Sequence, residues 1–195
     1  VRARPRHDRW RIVIDFEIPA ATKALRDEIR AFVTDKVVPY ETDPRLTRHG
    51  PDEDLRTELV SLARDAGLLT FQAQRRFGGR EPSHVEQAVL FEAAGWSTLG
   101  PIALNCAAPD EGNMFLLSKI ANDVQTQRFL VPVINGAQRS VFAMTEPGGA
   151  GSDPNQLNTT AVFDGTNYVI NGCKWLITGA NGARTWIVMA RMTPN

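Results

Sequence analysis

The sequence predicts an α+β protein: an all-α helical domain over residues 16–138, followed by an incomplete antiparallel β domain over residues 139–195. Three observations carry this prediction. Only 7 of the 44 charged residues fall from Arg139 onward, so a charged segment gives way to a poorly charged one. The apolar spacing changes at the same place, from the three-to-four-residue period of a helix to short runs of branched and aromatic residues. The punctuation changes with it, from helix-capping residues to Asp164-Gly165 and Asn171-Gly172, dipeptides suited to tight hairpin turns because both central residues tolerate positive φ.

A chain of 195 residues with 43% hydrophobic and 23% charged residues has ordinary globular composition, which excludes disorder and collagen-like structure. The length suits one or two domains. A net charge of zero argues against a general nucleic-acid binder, which needs a surplus of Lys and Arg. No apolar run approaches the ~18 residues of a membrane span. Cys106 and Cys173 have neither a disulfide-framework nor a metal-ligand spacing and suit a reducing compartment, the cytoplasm of a bacterium or the mitochondrial matrix of a eukaryote.

Residues 1–15 form a basic arm in which Arg2, Arg4, Arg6, Arg9 and Arg11 face only Asp8. A frayed terminus, an upstream or presequence segment and a binding arm all remain open for it. Leu25, Ile29, Phe32, Val33 and Val37 then mark a first helix, with Pro39 expected to end it by disfavouring helical geometry at Val38. Asp52 is placed to cap a second helix striped by Leu55, Leu59, Leu62 and Ala66 and ended by Gly67. Ser83 and Glu86 form a capping box for a third, carrying Val85, Ala88, Val89 and Glu92 before Gly95. Asp110 is expected to cap a fourth helix through Met114 and Leu117, and Asn122 a fifth through Leu130 and Val133 to Gly136. Strands are expected at 141–145, 159–163, 168–170, 174–178 and 185–191, joined as an antiparallel meander.

The sequence lacks a Walker A phosphate loop, a Gly-x-Ser-x-Gly nucleophile elbow and a His-Glu-x-x-His helix, and His7, His49 and His84 are scattered. Position 154 is Pro, so the glycines at 148, 149 and 151 do not make a dinucleotide-binding fingerprint. What remains is residues 142–153, a strand running into a loop with three glycines, two hydroxyls and two carboxylates. Backbone N–H groups in such a loop can converge on an anion. Alone, a Gly-rich loop between strands is most often a turn. A second element, residues 168–178, supplies a hairpin with the Thr178 hydroxyl at its end.

Together these segments resemble the paired signatures of the flavin-dependent acyl-CoA dehydrogenases, whose Thr-Glu-Pro…Gly-Ser-Asp loop and Ile-Thr strand embrace the flavin. The resemblance extends upstream through Gly78-Gly79 and residues 108–114 and covers nearly everything after about Phe16. It implies FAD as cofactor, with Phe142, Met144 and Thr145 lining the flavin and Leu176, Ile177 and Thr178 approaching from the other strand. Gly151 and Ser152 would lie near the cofactor phosphates, and Ser152 also near the acyl-CoA substrate. Fixed donors there stabilise charge as it develops on the ring. It also implies an electron-transfer flavoprotein as acceptor and a homo-oligomer when full length. On residue type alone, Thr145 and Thr178 are equally ordinary strand residues, Phe142 a core aromatic and Asp153 a turn residue.

Two departures stand out. Most relatives have Trp immediately before the Ile-Thr pair, whereas Leu176 stands here and Trp175 one earlier; strand alternation would send the two side chains to opposite faces. The loop is also one residue longer than the common form. These features resemble the branch that contains the kinase-fused acyl-CoA dehydrogenases and their bacterial relatives. The glutamate base of the family lies in a C-terminal helical domain beyond Asn195, and Glu146 belongs to the loop's own structure. The resemblance therefore implies an oxidation of acyl-CoA to trans-2-enoyl-CoA with no catalytic residue in this chain. A same-fold oxidase or flavin monooxygenase, or a truncated non-catalytic fragment, are the alternatives.

Overall fold

The computed structural model describes residues 17–148 and 153–192. The basic arm, Gly151 and Ser152 lie outside the described residues.

Helix α1 (Ala20–Phe32) buries Thr22, Leu25, Ile29 and Phe32, one face at helical spacing. Its end departs from expectation. The chain stays wound through a π-helical turn (Val33–Val37) and a 3₁₀ turn (Val38–Thr42), and Val38 keeps helical geometry (φ −50°, ψ −39°) despite preceding Pro39. Val33 and Val37 are fully buried and hold the turn inward, while Pro39 sits where the missing N–H is not needed. The backbone becomes extended only at Asp43.

Strands β1 (Leu46–Thr47) and β2 (Gly50–Pro51) pair antiparallel as a small hairpin with Arg48 and His49 at its tip. Asp52 then caps α2 (Glu53–Asp65), its Oδ1 accepting from the Leu55 amide at 2.8 Å, and Gly67 at φ +68° follows its end. Leu55, Leu59 and Ala63 are buried there, with Ala66 exposed. Helix α3 (His84–Ala94) has the Ser83–Glu86 capping box, and Glu86 also accepts from the Thr22 hydroxyl of α1 at 2.6 Å. Its buried face is Leu90, Ala93 and Ala94; Val85 and Ala88 are exposed, so the apolar stripe expected there faces outward.

Short helix α4 (Gly100–Ala103) approaches α3 so closely that a Cβ on Gly100 would collide with the Ala94 carbonyl. Helix α5 (Asp110–Ile120) begins at Asp110, whose carboxylate bonds outside the helix rather than capping it. Asn122 and Gln125 form a capping box for α6 (Asp123–Gln125), which continues through a π-helical turn (Thr126–Leu130) into α7 (Val131–Ile134). Ile29, Leu55, Leu59, Leu90, Leu99 and Leu104 anchor the main core; Met114, Leu130, Val133 and Ile134 form a smaller one. Among the described residues, no helix is long and apolar enough to cross a membrane.

Four-residue strands follow at β3 (Ser140–Ala143), β4 (Thr160–Phe163), β5 (Tyr168–Asn171) and β6 (Thr185–Val188), then β7 (Arg191–Met192). A helical part followed by small sheets bears out the α+β class. The expected meander is corrected in its pairing: β4 and β5 pair antiparallel across the Asp164-Gly165 turn, but β3 pairs β6 and β4 pairs β7 in parallel. The expected strand at 174–178 is also absent. Gly172 lies against Thr159, where a Cβ would collide with the threonine side chain, so Asn171-Gly172 serves a close approach instead of a hairpin turn.

Candidate functional site

Strand β3 delivers the first predicted segment. Phe142 is half-buried and lies opposite Ile187 of β6, and Met144 and Thr145 are half-buried where the chain leaves the strand. The second predicted segment meets the first through three bonds. Lys174 Nζ donates to the Met144 carbonyl at 2.8 Å and to Glu146 Oε1 at 2.8 Å, and the Trp175 amide donates to the Thr145 carbonyl at 3.1 Å. The structure thus brings residues 144–146 and 174–175 together.

Glu146 is 5% exposed and also accepts from the amides of Asn158 and Thr159. The Lys174 ammonium, aided by these donors, holds its carboxyl well below the usual carboxylate range. A carboxylate so fully committed is a structural peg rather than a proton acceptor.

Beyond this peg the chain is irregular. Leu176 has φ +52°, in the left-handed region that L-residues avoid, and is 80% exposed; Trp175 is also exposed. Strand alternation therefore does not govern these two side chains, because no strand exists there. A strained backbone carrying an exposed apolar side chain gains nothing from packing, and strain of this kind concentrates where a ligand is held. Ile177 is half-buried and Thr178 exposed, with Gly179 at φ +78° completing the turn.

Thr178 and Gly179 face the helical part across a cavity of about 180 Å³, whose far side includes Asn105, Pro109 and Asp110. It adjoins a wider cleft of about 920 Å³ reached by His49, Glu53, Ile177 and Arg184. Arg139 lines both; its Nη2 donates to the Asn181 carbonyl at 2.7 Å and pairs with Glu53 at 3.2 Å, while its buried Nε has no partner among the described residues. Asp110 Oδ1 accepts from both the amide and the hydroxyl of Ser140, each at 2.6 Å, and burial pushes its carboxyl up. Phe142, Met144 and Thr145 line neither cavity, so the two predicted groups meet through the backbone around Lys174.

The donor set suits a flat, partly polar ring. Trp175 and Leu176 offer exposed apolar surface, Thr178 an exposed hydroxyl, and Arg139 a buried N–H still lacking an acceptor. Among the described residues, no cluster of three or more His, Cys, Asp or Glu side chains could hold a metal ion. Sequence reasoning missed Lys174 as a peg and Asp110 as a tether. For Lys174 a signal existed: it is the sole Lys in the poorly charged tail, opposite a single Glu.

Comparison with known proteins agrees along nearly the whole chain. The family description "Acyl-CoA dehydrogenase, N-terminal domain" matches residues 19–137, and "Acyl-CoA dehydrogenase, middle domain" matches residues 141–195. A probable acyl-CoA dehydrogenase of Mycobacterium tuberculosis is 38% identical over 191 residues, spanning 93% of this chain and 46% of its own length. The solved structure of a putative acyl-CoA dehydrogenase from Mycobacterium abscessus superposes with a TM-score of 0.81 at 33% identity, covering 92% of this chain and 48% of that one. A glutaryl-CoA dehydrogenase from Mycobacterium smegmatis, solved in complex with FADH2, shares the fold with a TM-score of 0.69 at 22% identity, covering 90% of this chain and 43% of that one. The chain spans about half the length of these relatives.

Proposed function

The chain belongs to the acyl-CoA dehydrogenase family, and from that premise we propose that it carries the helical and flavin-facing β domains (16–138 and 139–195) of an FAD-dependent enzyme. This enzyme oxidises acyl-CoA to trans-2-enoyl-CoA. The observation that carries the reading is the joining of residues 144–146 to 174–175 through Lys174. That joint includes Thr145 and ends three residues before Thr178, the two hydroxyls expected at the flavin. The 38% identity to the mycobacterial relative supports the same chemistry.

When bound, the flavin supplies a hydride acceptor. This chain's residues bind and orient it. Thr145 and Thr178 would donate hydrogen bonds to its ring and Leu176 and Trp175 would cover apolar ring surface, while the family resemblance gives Gly151 and Ser152 the role of serving its phosphates and the acyl-CoA. Preorganised donors of this kind favour charge as it develops on a bound group without reorganising at the moment of reaction. In the complete enzyme, the base that removes the substrate α-proton would be a Glu of the C-terminal helical domain. The complete enzyme is a homo-oligomer that passes electrons to an electron-transfer flavoprotein. It works in the bacterial cytoplasm or the mitochondrial matrix.

The test is anaerobic mixing of acyl-CoA with the purified full-length protein that contains this chain. Bleaching of a bound flavin with formation of trans-2-enoyl-CoA is expected, with weaker flavin binding in Thr178→Ala. A protein that binds no flavin, or whose bound flavin acyl-CoA leaves unbleached, contradicts the proposal. Rapid reoxidation by oxygen on readmitting air would instead identify an oxidase.

A further inference from the structure

We propose that Asp110 is a positioning residue for the flavin-facing segment, tethering the start of β3 to the start of α5 and so fixing where Phe142, Met144 and Thr145 sit. The inference rests on the flavin reading above. Acidic residues in a first helical turn ordinarily serve their own helix, by capping its amides or facing its positive end. Asp110 instead reaches out of α5, and one oxygen, Oδ1, accepts from both the amide and the hydroxyl of Ser140 at 2.6 Å.

Two donors from one residue on a single acceptor fix both the backbone direction and the side-chain rotamer of Ser140. Asn113, one turn further along α5, donates to the same Ser140 hydroxyl at 2.9 Å, so that oxygen is used as donor and acceptor together. Ser140 is 1% exposed and is the first residue of β3. Leaving such a group unpaired is expensive, which makes the tether stiff. On the opposite side, β3 is held by its parallel pairing with β6. Asp110 Oδ2 has no bonding partner among the described residues, and Asp110 lines the cavity that Thr178 also lines. The tether therefore fixes the start of β3, the strand that leads into the first predicted flavin segment, beside the cavity that Thr178 lines.

The experiment compares Asp110→Ala, Asp110→Asn and Ser140→Ala in the full-length protein, reading FAD affinity by fluorescence titration and amide hydrogen exchange in the apoprotein. Asn keeps a carbonyl oxygen where Oδ1 stands, so it preserves both bonds. For Asp110→Ala we expect FAD affinity to fall about tenfold or more, since small misplacements of a site carry effects of this size. Exchange should quicken at residues 140–146, with no change at residues 55–63 of α2. Ser140→Ala should give an intermediate effect, and Asp110→Asn should match the wild type. Unchanged affinity and exchange in Asp110→Ala, or equal damage in Asp110→Asn, overturns the tether. Failure of wild-type protein to bind FAD overturns the flavin reading, while the exchange comparison still decides whether Asp110 holds β3.

Discussion

Lys174 Nζ lies 2.8 Å from Glu146 Oε1, and the two side chains are 9% and 6% exposed. The pair joins the loop after β3 to the segment after β5, 28 residues later in the chain. A buried ion pair contributes little over an apolar pair of the same shape, but losing one partner leaves an uncompensated charge. Its importance here is geometric, because the same ammonium also holds the Met144 carbonyl.

Lys174→Met should therefore lower the thermal midpoint more than the double substitution Lys174→Met/Glu146→Gln, which removes the charge left behind. A double-mutant cycle by thermal denaturation measures the coupling. Equal, additive losses would show that the two residues do not act as a unit.

Acid should weaken the same joint. Glu146 has its carboxyl held below the usual range by Lys174, so the folded state binds its proton less readily than the unfolded state. The stability it contributes is present above the unfolded value near 4.5 and is lost as pH falls from there toward the depressed folded value. Glu146→Gln should be less stable than the wild type at neutral pH, with the difference shrinking below about pH 4.5, as urea midpoints across pH will show.

Leu176 makes a separable case, since its backbone is left-handed and its side chain is 80% exposed. Leu176→Gly relieves a left-handed conformation costing an L-residue roughly 1–2 kcal/mol, partly offset by the greater chain entropy of glycine. Stability should hold or rise by up to about 1 kcal/mol, while FAD affinity falls. A loss of stability would mean that Leu176 is held for packing instead.

In the helical part, the Asn105 side-chain amide donates to the Thr70 hydroxyl at 2.9 Å and to the Val133 carbonyl at 2.8 Å, and both Asn105 and Thr70 adopt φ +54°. Asn105→Ala removes both bonds, each worth about 0.5–1.5 kcal/mol, and should cost about 1–3 kcal/mol in urea denaturation.

Much of the helical part is legible in the sequence because its signals are local. Asp52, Ser83 with Glu86, and Asn122 with Gln125 each cap a helix within three residues of themselves. Pro39 misleads because the burial of Val33 and Val37 outweighs a local steric preference. The strands are harder to read: Ser140 pairs with Thr185, and no spacing within either segment states that the pairing is parallel. The Asp164-Gly165 turn is legible, since Gly165 takes φ +103° between β4 and β5. Asn171-Gly172 is not, because its reason is contact with the distant Thr159. At the candidate site the residue types stand out in the sequence, but the Lys174 and Asp110 bonds that arrange them reach 28 to 30 positions along the chain.

On the proposed reading, residues 142–145 and 176–178 form one flavin-holding surface. The most direct test is amide hydrogen exchange of the full-length protein with and without FAD. Slowed exchange on FAD addition at both 142–146 and 174–179 is the predicted result. Protection confined to other parts of the protein, with these two segments unchanged, would contradict it.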